Sequence, residues 1–174
     1  MALRFIAVVA VLLWLTPART VSQGRLSPLQ GVNTVTVKAS IVAPPEALPN
    51  GFTEARLQTL VELKLRAWAL GVLSAAEDAQ TPGVRPRVEL EVTMLETRAV
   101  QKLAGYAFFM RLVVTEPGTS LRNGAPVLNE LWSHSFLNVS DPKTVVGDME
   151  RTTAELLDQF VNEWLRTRRP NPRR

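Results

Sequence analysis

The hydropathy pattern of this chain changes period along its length, and that change limits the available folds more than any single residue does. Thr34 to Ile41 alternates, with Val35, Val37, Ala39 and Ile41 on one side and Thr34, Thr36, Lys38 and Ser40 on the other. A period of two belongs to a strand with one buried face. Pro44-Pro45 and Pro49-Asn50-Gly51 then break the chain. Thr53 is suited to cap a helix running to about Leu70, because Leu57, Leu60, Val61, Leu65 and Trp68 recur at helical spacing. Gly71 is placed to end that helix in the left-handed conformation, and residues 75–86 read as a polar loop. Val88, Leu90, Val92 and Met94 alternate with Glu89, Glu91 and Thr93, which restores the period of two. After a loop containing a flexible Gly105, Tyr106 to Thr115 is apolar on both sides. Tyr106, Phe108, Met110, Leu112 and Val114 stand opposite Ala107, Phe109 and Val113, and only Arg111 interrupts the second set. Asn123-Gly124 marks a turn within a long connection, and Leu131 to Val139 forms the fourth strand. Asp141-Pro142 opens a final helix that runs to about Arg166, with Met149, Leu156, Leu157, Phe160, Val161 and Trp164 along one side.

The order is therefore strand, helix, three strands, helix. Two amphipathic helices and four half-buried strands bury their apolar sides most simply as an α+β two-layer sandwich. The expected sheet is four-stranded and mixed, with both helices on one face. The first helix is its crossover between parallel strands, and the last three strands form a meander.

The amino terminus bears on compartment. Met1-Ala2-Leu3-Arg4 is cationic, Phe5 to Leu15 is uninterrupted apolar sequence, and Thr16-Pro17-Ala18 brings a helix breaker and small residues. This is the grammar of a secretory signal peptide cut after Ala18, with an uncleaved anchor as the alternative. The apolar run is shorter than the about 20 residues that a spanning helix needs. The chain has no cysteine, so lipid acylation, disulfides, thiolate catalysis and thiolate metal sites are all closed to it. The expected organisation is a leader at 1–18, a flexible lead-in at 19–33, one domain at 34–166 and a basic tail at 167–174, in a periplasmic or secreted bacterial protein. The formal net charge of +4 belongs to the ends. Arg4 lies in the leader and five of the 20 basic residues lie from Arg166 onward, leaving 14 against 16 acids and a body charge of −2.

Chemistry-bearing constellations are sparse. His134 lies between Ser133 and Ser135, but neighbours on a strand point to opposite faces, so neither serine reaches this imidazole locally. Glu89 and Glu91 share a strand side at a spacing of about 7 Å, within the range of a glycosidase pair, and carry the alternative reading of a periplasmic hydrolase. Two glutamates on the wet side of a strand need no such explanation. Neither a dinucleotide-binding nor a phosphate-loop glycine pattern occurs, and no cofactor is expected. Lys38, Arg87 and Arg111 are interspersed with Glu89 and Glu91, which argues against a nucleic-acid face. A small-ligand carrier would need a pocket between helices and sheet.

The second side of the sheet is more informative. If helices cover the Phe108 and Met110 side, Phe109, Arg111 and Val113 lie opposite, and Trp132 and Phe136 join them or not according to register. An uncovered apolar face marks a partner or self-association surface unless the 116–130 connection or the 19–33 segment folds over it. Phe109, Arg111, Val113, Trp132 and Phe136 are thus the candidate interaction surface. The arginine-rich tail favours the negative end of its helix dipole, and weak contact with anionic lipid is its functional alternative.

Short motifs carry a resemblance. Glu62 to Arg66 closing into Leu70-Gly71-Val72, Gly105-Tyr106-Ala107-Phe108, Leu131-Trp132-Ser133, and Leu157 to Leu165 resemble segments of a widespread family of small secreted bacterial proteins of unknown function. Leucine stands where that family has threonine before the tryptophan, and the arginine-rich end departs from its short tail. The resemblance, spanning residues 30–172, implies an element order similar to TolB-type amino-terminal domains and brings no catalytic residues. The expectation is a non-enzymatic envelope accessory that binds a protein partner or itself.

Overall fold

The computed structural model describes residues 27–43, 52–80, 85–99 and 102–168. The expected leader, the proline breaks and the end of the tail lie outside them. The elements are β1 (Thr34–Val42), α1 (Glu54–Ala67), β2 (Gly71–Val72), α2 (Ala75–Gln80), β3 (Arg87–Ala99), β4 (Lys102–Thr119), β5 (Pro126–Ser140) and α3 (Val145–Arg168). The strands form one sheet in the order β2-β1-β3-β4-β5. β1 is parallel to both of its neighbours, and β3, β4 and β5 are antiparallel in succession. The α+β class, the crossover helix and the closing meander are as expected, but the sheet has five strands rather than four and there are three helices rather than two.

Both additions come from the stretch after α1. The strand β2 is too short to show a period, and backbone pairing holds it. The Gly71 N–H donates to the Asn33 carbonyl at 3.0 Å and the Leu73 N–H to that of Val35 at 3.0 Å. The helix α2 is built on a capping box: Glu77 Oε2 accepts from the Ser74 N–H and from Ser74 Oγ, each at 2.8 Å, and the Glu77 N–H returns to Ser74 Oγ at 3.3 Å.

Thr53 caps α1 as expected, its Oγ1 accepting from the Arg56 N–H at 3.2 Å. The other end of α1 differs. The Leu70 N–H donates to Leu65 O at 3.2 Å and the Ala69 N–H to Arg66 O at 3.0 Å, the paired bonds of a Schellman closure. The left-handed residue is Ala69, at φ 60°, and Gly71 is already in β2. Leu65 and Leu70 are both buried, which supplies the hydrophobic contact that accompanies this closure.

One face of the sheet carries the core. Val88, Leu90, Val92 and Met94 of β3 pair with Val114, Leu112, Met110 and Phe108 of β4, and all eight are at most 1% exposed. Leu57, Val61 and Leu65 of α1 and Met149, Leu156, Leu157, Phe160 and Trp164 of α3 join them in one cluster. Each such side chain contributes about 1.5–3 kcal/mol relative to exposure. The two helices are also tied across their outer rims by Arg56–Glu150 at 2.7 Å and Lys64–Asp158 at 3.0 Å.

The domain extends beyond the expected 34–166 at both ends. Leu29 and Val32, in the segment expected to be loose, are buried, and Trp164 Nε1 donates to the Val32 carbonyl at 2.6 Å. Arg168 stacks 4.1 Å from the Trp164 ring centroid and donates to Asn33 Oδ1 at 2.5 Å. Gly105, expected in a flexible loop, lies inside β4. A Cβ built there would stand 2.6 Å from the Ser140 carbonyl oxygen, so close backbone approach, not a turn, calls for glycine.

Candidate functional site: the open face of the sheet

The register decides which side chains share the face away from α1 and α3. Across β3, β4 and β5, Thr93 stands beside Phe109 and Phe109 beside Leu137, while Leu95 stands beside Ala107 and Ala107 beside Val139. Val42 of β1 neighbours Thr93. These positions form an apolar band at one end of the face, in which Val42, Leu95, Phe109, Leu137 and Val139 are all exposed. Antiparallel sheets commonly leave one face to water, but that face is then polar along its length. Here only the other end is.

The polar end is an ion-pair shelf. Arg111 lies between two carboxylates, with Nη2 2.5 Å from Glu130 Oε2 and Nη1 3.6 Å from Glu91 Oε2. Ser133 Oγ donates to Glu130 Oε1 at 2.5 Å, and Arg87 lies 3.5 Å from Glu89. A bulge in β5 aligns the shelf: the register slips between Val114 and Thr115, so Thr115 faces Glu130 and Leu131 is the extra residue. Leu131 then packs on the core with Trp132.

The five candidate residues therefore divide. Phe109 and Arg111 lie on the open face, Phe109 39% exposed. Val113 lies there too, but it is buried beside Glu89 and Ser133 and is not available to a partner. Trp132 and Phe136 do not join them. Opposite Val114 and Met110 in register, they stand on the helix-covered side, where Trp132 packs 5.4 Å from Phe160. Leu137 and Val139 of β5 take their place, because those residues share the parity of Phe109 once the strands are aligned. The period of two was visible in the sequence; the register that assigns it to a face was not.

Neither segment that might have covered this face does so within the described residues. Residues 115–119 and 126–130 pair with each other and lengthen the β4–β5 hairpin, closed by the Ser120 N–H to Ala125 O bond at 2.8 Å. Residues 27–33 pack at the α3 side through Leu29 and Val32.

The chemical alternatives gain little from the geometry. Glu89 and Glu91 are each beside an arginine and partly open to solvent, their side chains 22% and 46% exposed, whereas a general acid needs a desolvated carboxyl. His134 stacks on Trp132 at a ring-centroid distance of 6.2 Å and meets Phe136 edge-to-face at 5.4 Å, with Ser133 and Ser135 on the opposite face. Among the described residues no group of three or more His, Cys, Asp or Glu is placed to hold a metal, and no helix is long and apolar enough to cross a membrane. The largest side chains of the core fill the space between helices and sheet that a carrier would need. One cleft, of about 410 Å³, lies at the β1 rim beside Lys38, Gln58 and Asp78.

Two carboxylates outside this face are electrostatically distinctive. The Ser140 hydroxyl, then that of Thr144, and then Arg151 hold Asp148 below the ordinary carboxylate range. The Ser74 N–H and hydroxyl do the same for Glu77. Both stabilise helix starts, the usual place for a carboxylate near a dipole's positive end.

The sequence matches no protein-family model, and no functionally curated protein matches it. Solved bacterial structures are loosely similar. A putative neuraminyllactose-binding hemagglutinin homolog from Helicobacter pylori is 10% identical, with 82% of this chain and 87% of that chain covered and a TM-score of 0.43. The PelC dodecamer from Paraburkholderia phytofirmans is 15% identical over 76% and 86%, with a TM-score of 0.38. Rare lipoprotein B from Shewanella oneidensis is 20% identical over 78% and 92%, with a TM-score of 0.30. None of the three is described as a TolB domain, and scores this low carry no functional argument.

Proposed function

We propose that this chain is a non-enzymatic accessory domain of the bacterial cell envelope that binds a protein partner through the open face of its sheet. The observation that carries the reading is the apolar band of Val42, Leu95, Phe109, Leu137 and Val139, exposed next to the Glu91–Arg111–Glu130 shelf. Large exposed apolar patches rimmed by polar groups are interaction surfaces, and burial of each of these side chains would supply about 1–2 kcal/mol. The shelf gives orientation: a partner's charges would be read by fixed carboxylates and one fixed guanidinium. The export grammar of the first 18 residues supports a location outside the cytoplasm.

The test is position-specific. A photo-crosslinker at Phe109 is expected to trap a defined envelope protein, and the same group at Leu63, an exposed leucine on α1, is not. Leu137→Lys should abolish the adduct. A product of twice the chain's mass would make the occupant a second copy, and identical products from both positions would refute the reading.

A further inference from the structure

The two edges of the sheet are unequally protected. At the β1 edge, Glu54 takes the Ile41 N–H at 2.9 Å, Lys38 adds a charge, and β2 covers the start of the strand. At the other edge, β5 has β4 as its only neighbour, so among the described residues no strand pairs with the outer side of this 15-residue strand, although Asn138 Oδ1 accepts from the Val139 N–H at 2.8 Å. Sheets usually blunt such an edge with lysine, proline or a bulge. In β5 those devices are confined to the first half: Pro126 opens it and the bulge lies at Leu131. From Trp132 to Ser140 there is no proline, no lysine or arginine and no carboxylate.

This bare half begins inside a near-palindrome. Leu131-Trp132-Ser133-His134-Ser135-Phe136-Leu137 reads alike by chemical class in both directions about His134. When identical strands pair antiparallel, the two-fold axis passes through one residue, and residues equally far from it on either side stand opposite each other. A two-fold at His134 sets Trp132 against Phe136, Ser133 against Ser135 and His134 against its own copy. Aromatic pairs and serine pairs are favourable cross-strand neighbours. A centre at Phe136 sets Leu137 against Ser135 and Val139 against Ser133. A centre at Ser135 sets Leu137 against Ser133 and Trp132 against Asn138. A centre at Ser133 or Trp132 runs into the bulge. A centre at Asn138 sets Leu137 against Val139 but Phe136 against Ser140, so of these centres the one at His134 matches like with like at two successive positions on each side.

We propose that the protein forms a two-fold dimer in which β5 pairs antiparallel with β5 of a second copy, centred on His134. The paired stretch is Trp132 to Phe136, ended by the bulge. The axis stands perpendicular to the sheet, so helices remain on one side of the joined sheet and open faces on the other. The Trp132–His134–Phe136 ladder then meets an inverted copy of itself. A cleft of about 290 Å³ beside this edge, lined by Trp132, His134, Gln159, Asn162, Glu163 and Arg166, meets its own copy in the opposite direction. The dimer uses the edge and not the apolar band, so it stands or falls independently of the partner-binding reading.

The absence of cysteine makes the test clean. In the full-length chain, H134C is expected to form a disulfide-linked dimer under mild oxidation, because the symmetry places its two copies opposite each other. N138C is expected to stay monomeric, and a mixture of S133C with S135C should link the two species. As a second measure, S133K/S135K opposes lysines at both positions and is expected to weaken dimerisation at least about tenfold by sedimentation, whereas S133K/S135E opposes unlike charges and restores it. Phe109→Glu should leave the H134C link unchanged. Equal linking of H134C and N138C, or a wild-type chain that sediments as a monomer, would overturn the proposal.

Discussion

Ala69→Gly tests the local reading of the chain because its sign is in question. In most helical settings this change destabilises by roughly 0.8–1.0 kcal/mol. That is the outcome if α1 continues to Leu70 and Gly71 ends it, as the sequence pattern implies. In the structure Ala69 already holds φ 60° at the closing position. A side chain with a Cβ costs about 1–2 kcal/mol in that conformation. Ala69 is exposed, and its backbone bond to Arg66 O does not depend on the methyl group. Glycine gives back about 0.4–1 kcal/mol through the greater freedom of the unfolded chain. The balance is a net stabilisation of about 0.5–1 kcal/mol, or about 1–4 °C in Tm for a domain of this size. Urea unfolding followed by circular dichroism should show a higher midpoint with an unchanged m-value. A midpoint lowered by the equivalent of about 1 kcal/mol would refute the Schellman closure at Ala69 and restore the longer helix.

Two further outcomes follow from single contacts. Gly105→Ala should destabilise by about 1–3 kcal/mol, since its Cβ would meet the Ser140 carbonyl oxygen at 2.6 Å and both groups are backbone-fixed; a change within 0.5 kcal/mol in thermal unfolding would contradict that approach. Asp148 has a folded pKa below its unfolded value, so its contribution is present above the ordinary carboxylate range and is lost as pH falls through the lowered value. Asp148→Asn should therefore flatten the acid limb of the stability–pH curve, and parallel curves for wild type and Asp148→Asn would exclude the Ser140 and Thr144 contacts as the cause.

The parts of this fold that were legible in the sequence are those with a long period. Leu57, Val61 and Leu65 on α1, and Met149 to Trp164 on α3, announced their buried sides because several turns repeat the same spacing. β2 and α2 escaped notice because two residues and six residues are too short to show a period, although Ser74 and Glu77 stood at capping-box spacing. The open face was half legible. That Phe109 and Arg111 point away from Met110 follows from alternation alone. Whether β5 contributes Trp132 and Phe136 or Leu137 and Val139 depends on pairing between strands, a relation that no single strand encodes. The extended ends were not legible for a similar reason, since Leu29 and Val32 are too few to form a pattern and Val32 is held by Trp164, more than 130 residues away in the chain.

The proposed function rests on the apolar band being a contact surface rather than a solvated one. The most direct measurement is photo-crosslinking from Phe109 in intact envelopes, compared with Leu63 and repeated in the Leu137→Lys background. The account predicts a defined adduct from Phe109, none from Leu63, and its loss in the variant. No adduct from Phe109, or one that survives Leu137→Lys unchanged, would contradict it.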